Sequence, residues 1–260
     1  MIGKDLVYAL RESRLDDLVP PQLWSDSELL RFLNYAEVQA CRRAHLIIDG
    51  STPLDQGTSG TGGTFGQKPL CVVPIIGGQS TYNLSPKVLQ VRRVQLMSMT
   101  TPIDGPKDFQ EIDELMPGWF GTGAAGSGGT GGGGTAGTVG TAGSSGFPSF
   151  FMNTPGNVIT FVLAPSINDT ALLVVSRIPL MPFTLNSSPE IDEQYHEGLM
   201  DWAAQLAFKK PDSDTLNLNL SKIYEDAFTA QFGQLPNAYT EKMTKMISQQ
   251  QRMRSRPFGS

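Results

Sequence analysis

The chain has 260 residues, a net charge of −5 and 39% hydrophobic side chains, diluted by 28 glycines that cluster in loops. That length can bury a sizeable core as one domain carrying an insertion. The acidic balance argues against a protein that grips nucleic acid over a broad basic face, though not against a pore through which DNA slides. Two cysteines, Cys41 and Cys71, both in apolar surroundings, read as small buried hydrophobes and supply neither a disulfide framework nor a metal site. The N-terminus, MIGKDLVYALRESRLDD, has no apolar signal region, and no apolar run approaches the roughly 20 residues of a membrane span. The expectation is a soluble protein made in a reducing cytoplasm.

In chain order, Leu6, Val7, Leu10 and Leu15 predict an amphipathic helix over Lys4–Leu18, ending before Pro20 and Pro21. The next helix is the best specified in the chain. Ser25 and Glu28 have the spacing of a capping box, so the helix is expected to begin at Asp26. Trp24 and Leu29 are placed for a hydrophobic staple, and Asp26 and Glu28 put negative charge at the positive end of the helix dipole. Leu29, Leu33, Ala36, Ala40 and Ala44 form one apolar stripe, which needs a partner. His45 closes this helix beside Arg42 and Arg43 and reads as a cap contact.

From Asp49 the pattern turns to β. A glycine-rich loop at 57–66 precedes a strand at Leu70–Ile76, placed at a sheet edge by Pro74, and Gly77-Gly78 turns the chain. Tyr82 with Leu84, and then Val88 to Met97, give two more strands around a Ser85-Pro86 turn. Val158–Leu163 and Thr170–Ile178 are the strongest strands, joined by Asn168-Asp169. Between Glu114 and Asp169 no side chain is charged, and 13 of the 26 residues at 121–146 are glycine. Ordering such a segment costs about 1–2 kcal/mol per residue that its side chains cannot recover. A contact from a neighbouring subunit is therefore expected to hold residues Gly121 to Gly146. Trp119, Phe120, Phe147, Phe150 and Phe151 bracket this segment and could anchor its base.

Two further helices follow. Ser188 and Pro189 mark the start of one over Pro189–Phe208, with Ile191, Tyr195, Leu199, Trp202, Ala203 and Leu206 as its stripe. The run Asp212 to Asp214 offers caps for the other, Thr215–Phe232, with Leu216, Leu220, Ile223, Tyr224, Ala227 and Phe228 on one side and Gly233 as its left-handed terminator. The fold class is thus α+β: a helical bundle from 1–48 and 187–236, an inserted antiparallel β domain at 49–186, and an extended C-terminal arm at 237–260. In the arm, Lys242, Lys245, Arg252, Arg254 and Arg256 face one acid, Glu241. Tyr239, Met243, Met246, Ile247, Met253 and Phe258 supply adaptable apolar contacts of the kind used on partner surfaces.

Nothing in the pattern points to catalysis, to a cofactor or to a metal. His196, between Tyr195 and Glu197, reads as a surface or edge residue, and Glu190, Asp192, Glu193 and Glu197 read as charges stabilising a helix start. The glycine run lacks the Lys-Ser/Thr ending of a phosphate loop. No G-x-S-x-G, H-E-x-x-H or paired C-x-x-C is present.

The segment Trp24, Ser25, Asp26, Glu28, Leu29, Leu33, Asn34, Ala36, together with Pro189, Glu190, Ile191, Tyr195 and Leu199, resembles the head-to-tail adaptor (connector) proteins of tailed bacteriophages. The likeness covers the helical third of the chain and consists of caps and core positions. It implies a ring, commonly of twelve copies, beneath the portal protein and above a tail or nozzle protein, with double-stranded DNA passing through without sequence recognition. It also implies an arm that reaches the portal, which suits residues 237–260. The glycine-rich insertion departs from that pattern, and its expected role is contact with an adjacent subunit or with the tail protein below. Alternatives are a tail-completion or other virion ring protein, and, in a different class, a carbohydrate-binding β module on a helical stalk with Trp119 at its site.

Overall fold

A computed structural model describes residues 1–55, 68–117, 119, 147–154, 157–211 and 215–240. In chain order the elements are helix α1 (Gly3–Leu10), continued by a π turn at Arg11–Leu15; α2 (Asp26–Ala44); strands β1 (Ile47–Asp49), β2 (Val72–Ile75), β3 (Thr81–Asn83) and β4 (Val88–Leu96); α3 (Phe109–Leu115); β5 (Phe150–Thr154), β6 (Val158–Val162) and β7 (Asp169–Arg177); a 3₁₀ turn at Glu193–Tyr195; α4 (His196–Phe208) and α5 (Leu218–Phe232). The chain is α+β with antiparallel strand pairing. It divides into a helical unit, Met1–Asp49 with Ser176–Asn237, and a sheet unit that runs from Gly50 to Val175.

The helical unit has one apolar core. Leu6 and Leu10 of α1, Leu29, Leu33, Ala36 and Ala40 of α2, Leu199 and Ala203 of α4, and Phe228 of α5 are all fully buried in it. Helix α4 packs against α1, α2 and α5 and is buried nearly all round, where the sequence pattern showed a single stripe. Ring contacts tie it in: Trp24 meets Phe208 edge-on at 6.0 Å, and Trp202 meets Phe228 at 4.9 Å. On α2 the stripe stops at Ala40 and Cys41, since Ala44 is exposed, while Glu37 and Gln39 are buried. Helix α5 buries a narrower strip than expected, Ser221, Phe228 and Phe232, and leaves Leu216 and Ile223 exposed.

Helix ends are set by hydrogen bonds. Ser25 Oγ accepts the Glu28 N–H at 3.3 Å and caps α2. The Glu28 carboxylate meets Lys210 Nζ, 3.2 Å away on the chain beyond α4. Helix α1 departs from the expected Lys4–Leu18 because Arg11 turns inward. Its Nη1 bonds Asp17, its Nη2 bonds Trp24 O at 2.6 Å and Asp26 at 2.7 Å, and the helix widens into a π turn that ends at left-handed Asp16. At the other end, Gly3 and Lys4 donate to Ser187 O and Leu185 O. A Cβ on Gly3 would lie 2.3 Å from Thr184 O, so only glycine allows that approach. Helix α5 starts at Leu218, capped by Asn217, whose Oδ1 accepts the Leu220 N–H at 3.1 Å; residues 212–214 lie outside the described residues. Gly233 has φ 85° but ψ 174°, so it ends α5 without the left-handed turn expected of it.

The predicted start at Ser188 and Pro189 is not a helix start. Residues 189–192 are not helical, with the chain bending at Glu190 and Ile191, and α4 begins at His196 after the 3₁₀ turn. The cause lies elsewhere in the chain: the buried Glu37 carboxylate accepts the N–H groups of Glu190 at 2.6 Å and Ile191 at 3.2 Å, and the Glu190 carboxylate accepts Leu180 N–H at 2.9 Å and pairs with Arg177. Segment 176–186, expected in the β domain, belongs to the helical unit for a similar reason. Phe183 is in its core, and Asn34 brackets it, accepting Phe183 N–H at 2.8 Å and donating to Phe183 O at 3.0 Å.

Glu37 makes the helical unit sensitive to pH. Burial pushes its carboxyl from an ordinary 4.5 to about 7, more than the two N–H donors pull it back. A raised carboxyl keeps its proton in the folded state after the unfolded chain has lost it, so its contribution is fully present below pH 4.5 and is lost as pH rises to about 7. Glu37→Gln is expected to gain about 3 kcal/mol relative to the parent across that window. Urea titrations of both proteins at pH 4.5 and pH 8 check this; parallel curves would refute it.

In the sheet unit, among the described residues, β2 pairs only with β7, Pro74 opposite Thr170, which leaves proline on an edge. Strand β7 also pairs with β4 and with β1. A second sheet has the order β3-β6-β5, with Tyr82 opposite Ile159 and Met152 opposite Thr160. The two strongest predicted strands, β6 and β7, are therefore not partners; they enter different sheets, separated by left-handed Leu163 (φ 69°). Strands β1 and β5 and helix α3 were not anticipated.

Candidate functional site

The aromatics bracketing the glycine-rich segment converge only in part. Asp108 caps α3 by accepting Phe109 N–H at 2.8 Å, and the helix lays its one buried side chain, Ile112, against Met152 and Val162. Met116, Trp119 and Phe150 pack around that contact. Trp119 folds back to stack on Phe109 at 6.3 Å and donates Nε1–H to Asp113 at 2.7 Å. Two of the expected anchors, Trp119 and Phe150, thus share one cluster. Phe151 is separate: fully buried, it holds the strand to segment 104–107, donating its N–H to Asp104 O at 3.1 Å and accepting Lys107 N–H at 2.9 Å. Phe147 is 56% exposed. Phe120, Gly121 and Gly146 lie outside the described residues.

The residues the sequence reading overlooked are those of α3. Its signal was present: Asp108-x-x-Glu111 has the spacing of a helix cap. The helix contributes Glu111, which with Asp104 clasps Lys107 at 2.5 and 3.3 Å, and the Glu111 bond raises the lysine's pKa. Of the C-terminal arm, Tyr239 is described and 69% exposed. Lys242, Met243, Lys245, Met246, Ile247, Arg252, Met253, Arg254, Arg256 and Phe258 lie outside the described residues.

The groups weighed for chemistry are engaged structurally. His45 takes a left-handed cap conformation and shares a 3.1 Å hydrogen bond with Ser176 Oγ. His196 is not at the surface: it is 3% exposed, its Nε2 bonds Ile191 O at 3.0 Å, and burial lowers its pKa. Glu193 pairs with the N-terminal amine at 2.8 Å, and Glu197 and Asp201 face Arg14. Cys41 is buried, which pushes its thiol up to about 12, where it is inert. A cavity in the sheet unit between Leu89 and Asn153 is lined by no ionisable group. Among the described residues no group of three His, Cys, Asp or Glu could hold a metal, and no helix is long and apolar enough to cross a membrane. Helix α3 displays aromatic and acidic side chains to solvent.

Compared with known proteins, residues 3–257 match the family model described as SU10 adaptor protein. No curated protein matches the chain.

Proposed function

Because the chain belongs to the SU10 adaptor protein family, we propose that it is a structural protein of the virion neck in a tailed bacteriophage, forming a ring that joins the portal to the tail around a DNA channel. The single observation that carries this reading is the extent of the family match, which spans both helical segments and everything between them. The helical unit supports it. Its distant halves close over one core and are pinned by charged pairs that begin and end in different segments, Arg14 with Asp201 and Arg177 with Asp49. The net charge of −5 suits a wall that must not retain DNA, since each phosphate contact would retard passage. In this reading the helices form a bundle, residues 237–260 form an arm, and copies, twelve by the family resemblance, surround the duplex.

Mass measurement of the full-length protein, alone and with purified portal, tests the proposal. A closed particle of uniform copy number on the portal is the expected result. A chain that remains monomeric with portal present overturns it.

A further inference from the structure

Helix α3 is unusual as a surface element. Six of its seven side chains face solvent, including Phe109 at 40% and Leu115 at 51% exposure, and Ile112 alone is buried. The surface is nevertheless built, because the Phe109–Trp119 stack and the Trp119–Asp113 hydrogen bond hold its aromatic rings in place. Apolar side chains fixed in the open mark a contact site. Residues 104–114 surround them with five acids, Asp104, Asp108, Glu111, Asp113 and Glu114, and one lysine.

We propose that this face seats the basic C-terminal segment, residues 241–260, of a second copy of the chain. That segment has the opposite imbalance, five basic residues against Glu241, and Met243, Met246 and Ile247 fall at i, i+3 and i+4, the spacing of one helical face. Methionines adapt to aromatic surfaces, and sulfur–ring contacts favour them there. The acidic surround excludes nucleic acid as the occupant, because phosphates would be repelled. Twenty residues can span roughly 66–72 Å when extended, enough to reach an adjoining copy. The assignment rests on the ring reading for the nearness of copies. It places the arm within the ring, where the family resemblance would send it to the portal.

The test uses full-length protein in two isotope labels, mixed, treated with a carbodiimide that joins lysine amines to carboxylates, and analysed by mass spectrometry. Links from Lys242 or Lys245 to Glu111 or Glu114 are expected in mixed-label pairs. They should fall several-fold between 0.1 and 1 M salt, as the screening length shrinks from about 10 to 3 Å. Glu111→Lys with Glu114→Lys should weaken self-association at least tenfold, and adding Arg252→Glu with Arg254→Glu should restore it, which a misfolded variant would not do. Rings that close without mixed-label links overturn the arm assignment and leave the ring standing. Mixed-label links in particles that never close do the reverse. Links within one label only, or links to added portal only, also overturn the assignment.

Discussion

Replacing Arg177 by Met is expected to lower the unfolding free energy of the helical unit by about 3–5 kcal/mol. Arg177 Nε lies 2.8 Å from Asp49 Oδ2, and these side chains are 5% and 6% exposed. The same guanidinium bonds Glu190 and donates to Ile178 O at 3.2 Å. Removing it takes the guanidinium away from a buried carboxylate, the costly half of breaking a buried pair, and removes the cation that Glu190 bonds. Adding Asp49→Asn should recover part of the loss, because it removes the buried charge that Arg177 paired, and the double-mutant cycle gives the coupling. The check is urea unfolding followed by tryptophan emission in a Trp119→Phe background, which leaves Trp24 and Trp202 to report on the helical unit alone. A loss under 1 kcal/mol would mean that water reaches the pair.

The second large effect is expected from Phe228→Ala, about 3–5 kcal/mol in the same assay. Phe228 is fully buried, with ring neighbours Trp202 at 4.9 Å and Phe232 at 4.6 Å. Arg43 of α2 lies over both Trp202 and Phe228, at 4.8 and 4.9 Å, while its Nη1 donates to Thr229 Oγ1 at 3.1 Å and Gly233 O at 3.0 Å. Truncation therefore opens a cavity where α2, α4 and α5 meet and removes one of the two ring faces that hold the guanidinium. Phe228→Leu should cost less than half as much, since it keeps most of the volume. Equal losses for Ala and Leu would show that the aromatic face matters more than the filled space.

Several features of this protein were legible because they are local. The cap at Ser25 is read from residues within one turn of it, and the run from Leu29 to Ala40 buries the face its spacing defines. Strands β2, β3 and β4 stand within the segments chosen from β-branched runs and turn residues, and Pro74 sits on an edge because a proline cannot donate to a ladder. The glycine-rich stretch at 121–146 announced itself by composition alone. The family resemblance rested on these same local signals in a third of the chain, and the SU10 adaptor protein family model matches residues 3–257.

The errors share a cause. Pro189 carries a good local signal for a helix start, yet the carboxylate of Glu37, 153 residues before Glu190, takes the N–H groups of Glu190 and Ile191, and the chain stays out of helix until the turn before His196. His196 is buried by packing that its neighbours Tyr195 and Glu197 do not reveal. Strands β6 and β7 have matching composition but separate sheets, because pairing is decided by which edge is free once the chain has collapsed. Helix α3 was hidden by having one buried residue and therefore no stripe to read.

Sequence alone determined where most helices and strands form, that the distant halves of the chain are helical, and which family they resemble, because caps, periodicity and turn residues act over a few bonds. Tertiary structure alone decided where α4 begins, which strands pair, and that Glu37, Asp49 and Arg177 are buried together. Those outcomes depend on taking charges and N–H groups out of water against partners more than a hundred residues away, an energy that no local window contains.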